Sequence, residues 1–144
     1  PYAKSYQMEK ESMLITRRSD YAMRIFRALQ DEKVHNVRAI CTKEDIPKAF
    51  AYKILRELEQ AGFVKSERGN QGGYLLNRKL EDLTMYDVIS VTEGDLAILH
   101  CMKEECNRNP ESMPCKVHQE IERIQKILIE ELKKKTIGEI MEEK

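Results

Sequence analysis

Between Asn36 and Gly62 two short amphipathic helical patterns stand on either side of a tight turn, and no other stretch restricts the fold as much. Asn36 is a good N-cap, and Val37, Ile40 and Cys41 follow it on one face of a helix that ends near Lys43 or Glu44. Cys41 therefore reads as a small core residue. Asp45-Ile46-Pro47 then supplies a cap and a proline suited to a first helical turn, opening a helix that runs to about Ala61 with Gly62 as its stop. On that helix Ala51, Ile54, Leu55, Leu58 and Ala61 share the inner side, while Lys48, Ala49, Tyr52, Lys53 and Arg56 share the outer side. An apolar face backed by a basic face, on the second of two such helices, is a helix-turn-helix pattern.

The flanking segments extend it. From Ser19 to Gln30 the residues Tyr21, Ile25, Ala28 and Leu29 recur at helical spacing, with Ser19 or Asp20 as the expected N-cap. After Gly62, Phe63 to Arg68 and Tyr74 to Asn77 read as two short strands around Gly69-Asn70-Gln71-Gly72-Gly73, a hairpin in the position of a wing. Thr84 can cap a further helix reaching Glu93, with Met85, Val88 and Ile89 inward and Gly94 as its end. Periodicity is lost from His100 to Pro114. It returns on a long helix from about Cys115 to Lys135, where Val117, Ile121, Ile124, Leu128 and Leu132 form one stripe that Ile127 and Ile129 widen. With the core already supplied by earlier elements, that stripe is expected to pack against a second copy of the chain.

The 144 residues suffice for one modest core with an appendage. The expected plan is mainly α with a small β-hairpin wing: a polar tail or added leader over 1–12, a winged helix-turn-helix domain over 13–94, a cysteine-rich loop over 95–115, and a dimerisation helix with a C-terminal tail over 116–144. No apolar run is long enough to cross hydrocarbon and no secretory leader is visible, so a cytoplasmic location without membrane attachment is expected. The sequence shows no nucleophile elbow, dinucleotide fingerprint or paired-carboxylate motif, which disfavours an enzyme. The glycine-rich turn is too short for a phosphate-cradling nucleotide loop and lacks the lysine and hydroxyl that should come after it.

The formal net charge of zero hides a division. Met13 to Lys79 carries 14 Lys or Arg against 8 Asp or Glu, whereas Leu80 to Lys144 carries 9 against 15. A basic first half suits a polyanion, and an acidic second half should point away from it.

Chemistry gathers in the irregular segment. Cys101, Cys106, Cys115 and His118 have the spacing Cys-x4-Cys-x8-Cys-x2-His. Three soft thiolates in one loop suit zinc or an iron–sulfur cluster, and the long interval between the second and third leans toward the larger group. Disulfides, and with them a metal-free thiol redox switch, are the alternative.

Taken together, Met13-Leu14-Ile15-Thr16, Ser19-Asp20-Tyr21-Ala22, Leu55 to Val64, the wing Arg68 to Leu76, Asp87-Val88-Ile89, the three cysteines and Thr136 to Ile140 resemble the IscR/NsrR superfamily of bacterial winged-helix regulators, many of which carry iron–sulfur clusters. The resemblance runs from about Met13 to the end. It implies a homodimer whose long helices cross, a cluster held by each subunit, and paired winged domains reading a palindromic operator on double-stranded DNA. Cluster state, responding to iron–sulfur supply, oxidants or nitric oxide, would then set operator affinity.

Cys101, Cys106 and Cys115 match the family's cluster cysteines. The resemblance offers two fourth ligands: His118, as in members holding a [2Fe–2S] cluster, or Asp20 of the partner subunit, as in members holding a [4Fe–4S] cluster. Local spacing favours His118. On DNA, Lys48, Tyr52 and Lys53 are expected to reach base edges, and Arg56, Arg17 and Arg18 to meet phosphate. Arg68, Asn70 and Gln71 are expected at the minor groove.

Overall fold

The computed structural model of the protein describes residues 15–142; the expected tail over 1–12 and the start at Met13 lie outside the described residues. Helix α1 (Arg17–Ala28) begins earlier than the sequence predicts, because the Thr16 side chain caps it by accepting from the Arg18 N–H. Ser19, one of the two expected caps, is buried instead, and Asp20 sits in the first turn, paired at 2.9 Å with Arg24. Asn36 caps α2 (Val37–Glu44) as expected, with its side chain accepting from the Ala39 N–H.

The turn into α3 (Lys48–Gln60) differs in detail from the expectation. Asp45 closes α2 in a left-handed conformation, and Pro47 itself takes the N-cap position without any side-chain cap. Asp tolerates that region because its short polar side chain hydrogen-bonds locally. On α3 the inner residues Ala51, Ile54, Leu55 and Leu58 are buried, while Ala61, expected with them, lies exposed past the helix end.

Strands β1 (Val64–Glu67) and β2 (Gly73–Leu76) pair antiparallel, with Val64 opposite Leu76 and Glu67 opposite Gly73. The hairpin is anchored near its turn, where β2 begins. His35, before α2, exchanges two backbone hydrogen bonds with Tyr74 at 2.8 and 2.9 Å, and a Cβ at position 73 would meet the His35 carbonyl oxygen at 2.2 Å. Only glycine allows the two backbones that approach, so Gly73 fixes the wing to the segment leading into α2.

Helix α4 (Met85–Glu93) starts with a reciprocal capping box between Thr84 and Asp87 and buries Val88, Ile89 and Thr92. One core joins these elements: Phe26, Ile25, Leu29, Ile54, Leu55, Leu58, Leu83 and Val88 are almost completely excluded from solvent. The carboxylate of Glu44, also buried, accepts from Arg27 at 2.9 Å and ties α1 to α2.

Past a 3-10 turn at His100–Met102 and an irregular stretch, α5 (Lys116–Lys134) is capped by Cys115 and contains no buried residue. The segment after α5, expected as a tail, returns to the core. Thr136 bridges back to Thr84, the Ile137 N–H donates to the Leu83 carbonyl at 2.7 Å, and α6 (Ile137–Glu142) places Ile137 in the main core. Both ends of α5 are thus connected to the winged domain. Ile137→Ala should lower unfolding stability by about 2–5 kcal/mol, the range for deleting a large buried aliphatic group. Denaturant titration checks this, and a loss below about 1 kcal/mol would mean that α6 is not part of the cooperative unit.

Candidate nucleic-acid interface and cysteine site

The outer face of α3 presents Lys48, Tyr52, Lys53 and Arg56 to solvent, with the Lys48 ammonium 5.9 Å from the centre of the Tyr52 ring. Phe50 lies beside them and is 48% exposed, although its position four residues before Ile54 would place it with the apolar row. Its ring packs on Tyr21 of α1 at 5.7 Å, so it stays at the surface beside the basic residues. Sequence reasoning missed it for that reason.

On the wing, Arg68 comes directly after β1 and Asn70 and Gln71 form the turn, all exposed. Arg17, Lys53, Arg56 and Arg68 form no ion pair with any acid among the described residues. Arg18 is different. It lies half-buried, and its guanidinium pairs with Glu57 on the inner flank of α3, which gives this expected phosphate contact an internal partner.

Thr16 and Ser19 lead to a residue with no predicted role. The Glu93 carboxylate accepts from the Thr16 N–H at 3.0 Å, from the Thr16 hydroxyl, and from the Ser19 hydroxyl at 2.9 Å, while Ser19 and Thr92 share a hydrogen bond at 2.6 Å. Burial pushes the Glu93 carboxyl up, but these donors and the Arg18 charge outweigh it and hold it below its ordinary value. One signal was readable: an acid in the last turn of a helix opposes the helix dipole, so Glu93 needed a partner elsewhere.

In the cysteine segment, Cys101, Cys106 and His118 line one cavity of about 570 Å³, together with Glu104, Glu105 and Glu111. Cys115 stands at the N-cap of α5, one turn before His118, and its N–H donates to the Asn109 side chain at 2.8 Å. The Nδ1 atom of His118 is buried and has no hydrogen-bond partner. Among the described residues no three Cys, His, Asp or Glu side chains converge tightly enough to hold a single metal ion. All four cysteines are free thiols. Cys41 is set apart on α2, where burial raises its thiol although Lys48 pulls the other way. Asp20 is exposed on α1, beside a separate hollow with Met23, Arg24 and Met85.

Among the described residues, no helix is long and apolar enough to cross a membrane. The chain is 33% identical over 93 residues to the protein aau3 of Rhizobium meliloti, a match covering 63% of this chain and 60% of that protein. It is 31% identical over 100 residues to the HTH-type transcriptional regulator NsrR of Bacillus subtilis, covering 67% of each. Its fold is that of CymR, the global cysteine regulator of B. subtilis, with a TM-score of 0.73 over 90% of this chain and 97% of the other at 24% identity. Residues 15–143 match the Rrf2 family, described as iron-dependent transcriptional regulators. The winged helix-turn-helix and this match across nearly the whole chain agree with the resemblance read from the motifs: the chain belongs to the Rrf2 family of DNA-binding transcriptional regulators.

Proposed function

We propose that this regulator binds its operator as a homodimer, with an affinity set by an iron–sulfur cluster held at Cys101, Cys106, Cys115 and His118. The observation that carries this reading is the buried, unpartnered Nδ1 of His118 at a cavity shared with Cys101 and Cys106. A buried ring nitrogen without a partner is destabilising unless something occupies it, and metal ligation is a common answer for imidazole. Thiolates spread around a cavity suit a cofactor with several metal atoms better than one compact ion.

A bound cluster would supply a redox-active centre whose ligation depends on oxidants and nitric oxide. The chain's own residues do the rest. Arg17 and Arg56 have charge free for phosphates, Lys48, Tyr52 and Lys53 project from the first turns of α3 toward base edges, and Arg68, Asn70 and Gln71 extend the wing toward the minor groove. Two reading heads carried by paired α5 helices would meet half-sites about 34 Å apart on a palindromic operator.

The test is anaerobic purification, then visible absorption and analysis of iron, acid-labile sulfide and zinc. Wild-type protein is expected to be coloured and to contain iron and sulfide, and His118→Ala to lose most of both while Asp20→Ala retains them. The reverse pattern assigns the fourth ligand to Asp20 of the partner subunit. Colourless protein with stoichiometric zinc, or metal-free protein that forms disulfides among Cys101, Cys106 and Cys115 on mild oxidation, would overturn the cluster.

A further inference from the structure

The hydrogen bonds of Glu93 form a clasp between two parts of the molecule that otherwise have separate tasks. Glu93 is the last residue of α4, and the chain beyond it leads directly to the cysteines. Gly94 takes φ of 78° with no atom near the place of a Cβ, a bend that glycine adopts without strain. Leu96 is then buried, and the Ile98 N–H donates to the Gln125 side chain of α5 at 3.0 Å. The cysteine segment and α5 are therefore joined to Glu93 by a short connection in which Leu96 is buried and Ile98 is hydrogen-bonded to α5.

On its other side Glu93 holds the first turn of α1. It engages Thr16 and Ser19, and between them in sequence stands Arg18, whose guanidinium grips Glu57 on α3. Ser19 and Thr92 are 1% and 4% exposed, and the Arg18 Nε is buried without a partner. A buried polar network of this kind has few intermediate arrangements, because partial disruption strands groups away from water. It is suited to switch as a unit.

We infer that Glu93 and Arg18 are positioning residues that convey the state of the cysteine segment to α3, Glu93 by holding or releasing the first turn of α1 and Arg18 by drawing Glu57 with it. This rests on the reading that the cysteine segment controls operator affinity. Neither residue need touch DNA or the cluster. The route is short and continuous: cysteine segment, Gly94, Glu93, Thr16 to Ser19, Glu57, and then the face of α3 that carries Tyr52, Lys53 and Arg56.

The experiment compares the anaerobically purified full-length chain with a Cys101→Ser, Cys106→Ser, Cys115→Ser triple variant, each in wild-type, Glu93→Ala, Glu57→Gln and double-variant backgrounds. Two quantities are read: operator affinity, and amide hydrogen exchange over residues 16–19 and 48–60. In the wild-type background the cysteine substitutions should change operator affinity by at least about fivefold and alter exchange on α3. With Glu93→Ala or Glu57→Gln that ratio should fall to within about twofold, and the double variant should lose no more than either single, as expected for residues acting in series. A merely structural Glu93 would lower stability and leave the ratio intact, which overturns the inference; so would additive loss in the double variant. If exchange on α3 responds to the cysteines through Glu93 while operator affinity does not, the clasp stands and cluster control of DNA binding fails. If α3 exchange in the wild-type background ignores the cysteines, the clasp itself is refuted.

Discussion

Replacing Ile124 and Ile127 together by glutamate is expected to leave a monomer that no longer holds its operator at concentrations where the unaltered chain is saturated. Both side chains are 40% or more exposed on α5, Val117 of the same helix is 65% exposed, and the helix contains no buried residue. The helix nevertheless has a continuous apolar stripe along its length, which a solvated helix has no reason to keep. A stripe covered by its own counterpart in a second copy would place the two glutamates in an apolar seam, where an ionised carboxylate has no partner. The consequence for DNA is larger than for the protomer. Two linked reading heads bind a palindrome with an avidity about 10²–10⁴ times that of one head, and the variant should forfeit most of that factor. Light scattering after size-exclusion chromatography and an operator titration read the two effects separately. A variant that keeps twice the chain mass would place the interface elsewhere, and full operator affinity in a monomer would remove dimerisation from the mechanism.

The elements most legible in the sequence were those with local causes. The capping residues Asn36 and Thr84, the stop at Gly94 and the alternation of inner and outer faces on α3 each arise from short-range chemistry, and each is found where expected. The first turn of α1 was misplaced because Ser19 is the better capping residue than Thr16 on local chemistry, and what decides between them is distant: Glu93 takes Ser19 into the interior. The last helix was missed although its start signal is local. Thr136 to Glu142 has too little periodicity to stand out, yet Thr136 and Glu139 form a capping box that opens α6, and Ile137 finds a place in the core against Leu83. In the cysteine segment the residue types were legible and their arrangement was not, since spacing alone says nothing of which nitrogen of His118 is buried. Arg18 shows the same limit. Its charge suited a phosphate, and only the fold reveals that Glu57 already holds it.

Arg68→Ala should weaken operator binding about tenfold to a hundredfold and reduce the dependence of affinity on salt by about one counterion. Arg68 is exposed at the end of β1, immediately before the turn carrying Asn70 and Gln71. Its reach is set by the backbone contacts that hold the start of β2, just past the turn. Because the backbone of Tyr74 is hydrogen-bonded to His35 and Gly73 lies directly against the His35 carbonyl, the wing cannot swing freely away from α2 and α3. An arginine placed that firmly can enter a narrow minor groove while α3 occupies the neighbouring major groove, and it senses groove width more than base identity. The loss should therefore be greatest on operators with A·T-rich sequence beneath the wing and smaller where G·C pairs widen the groove. Arg56→Ala should instead weaken all operators nearly equally, as removal of a phosphate contact does. Titrations at several salt concentrations on both kinds of operator separate the two behaviours, and an unchanged affinity for Arg68→Ala throughout would take the wing out of the interface.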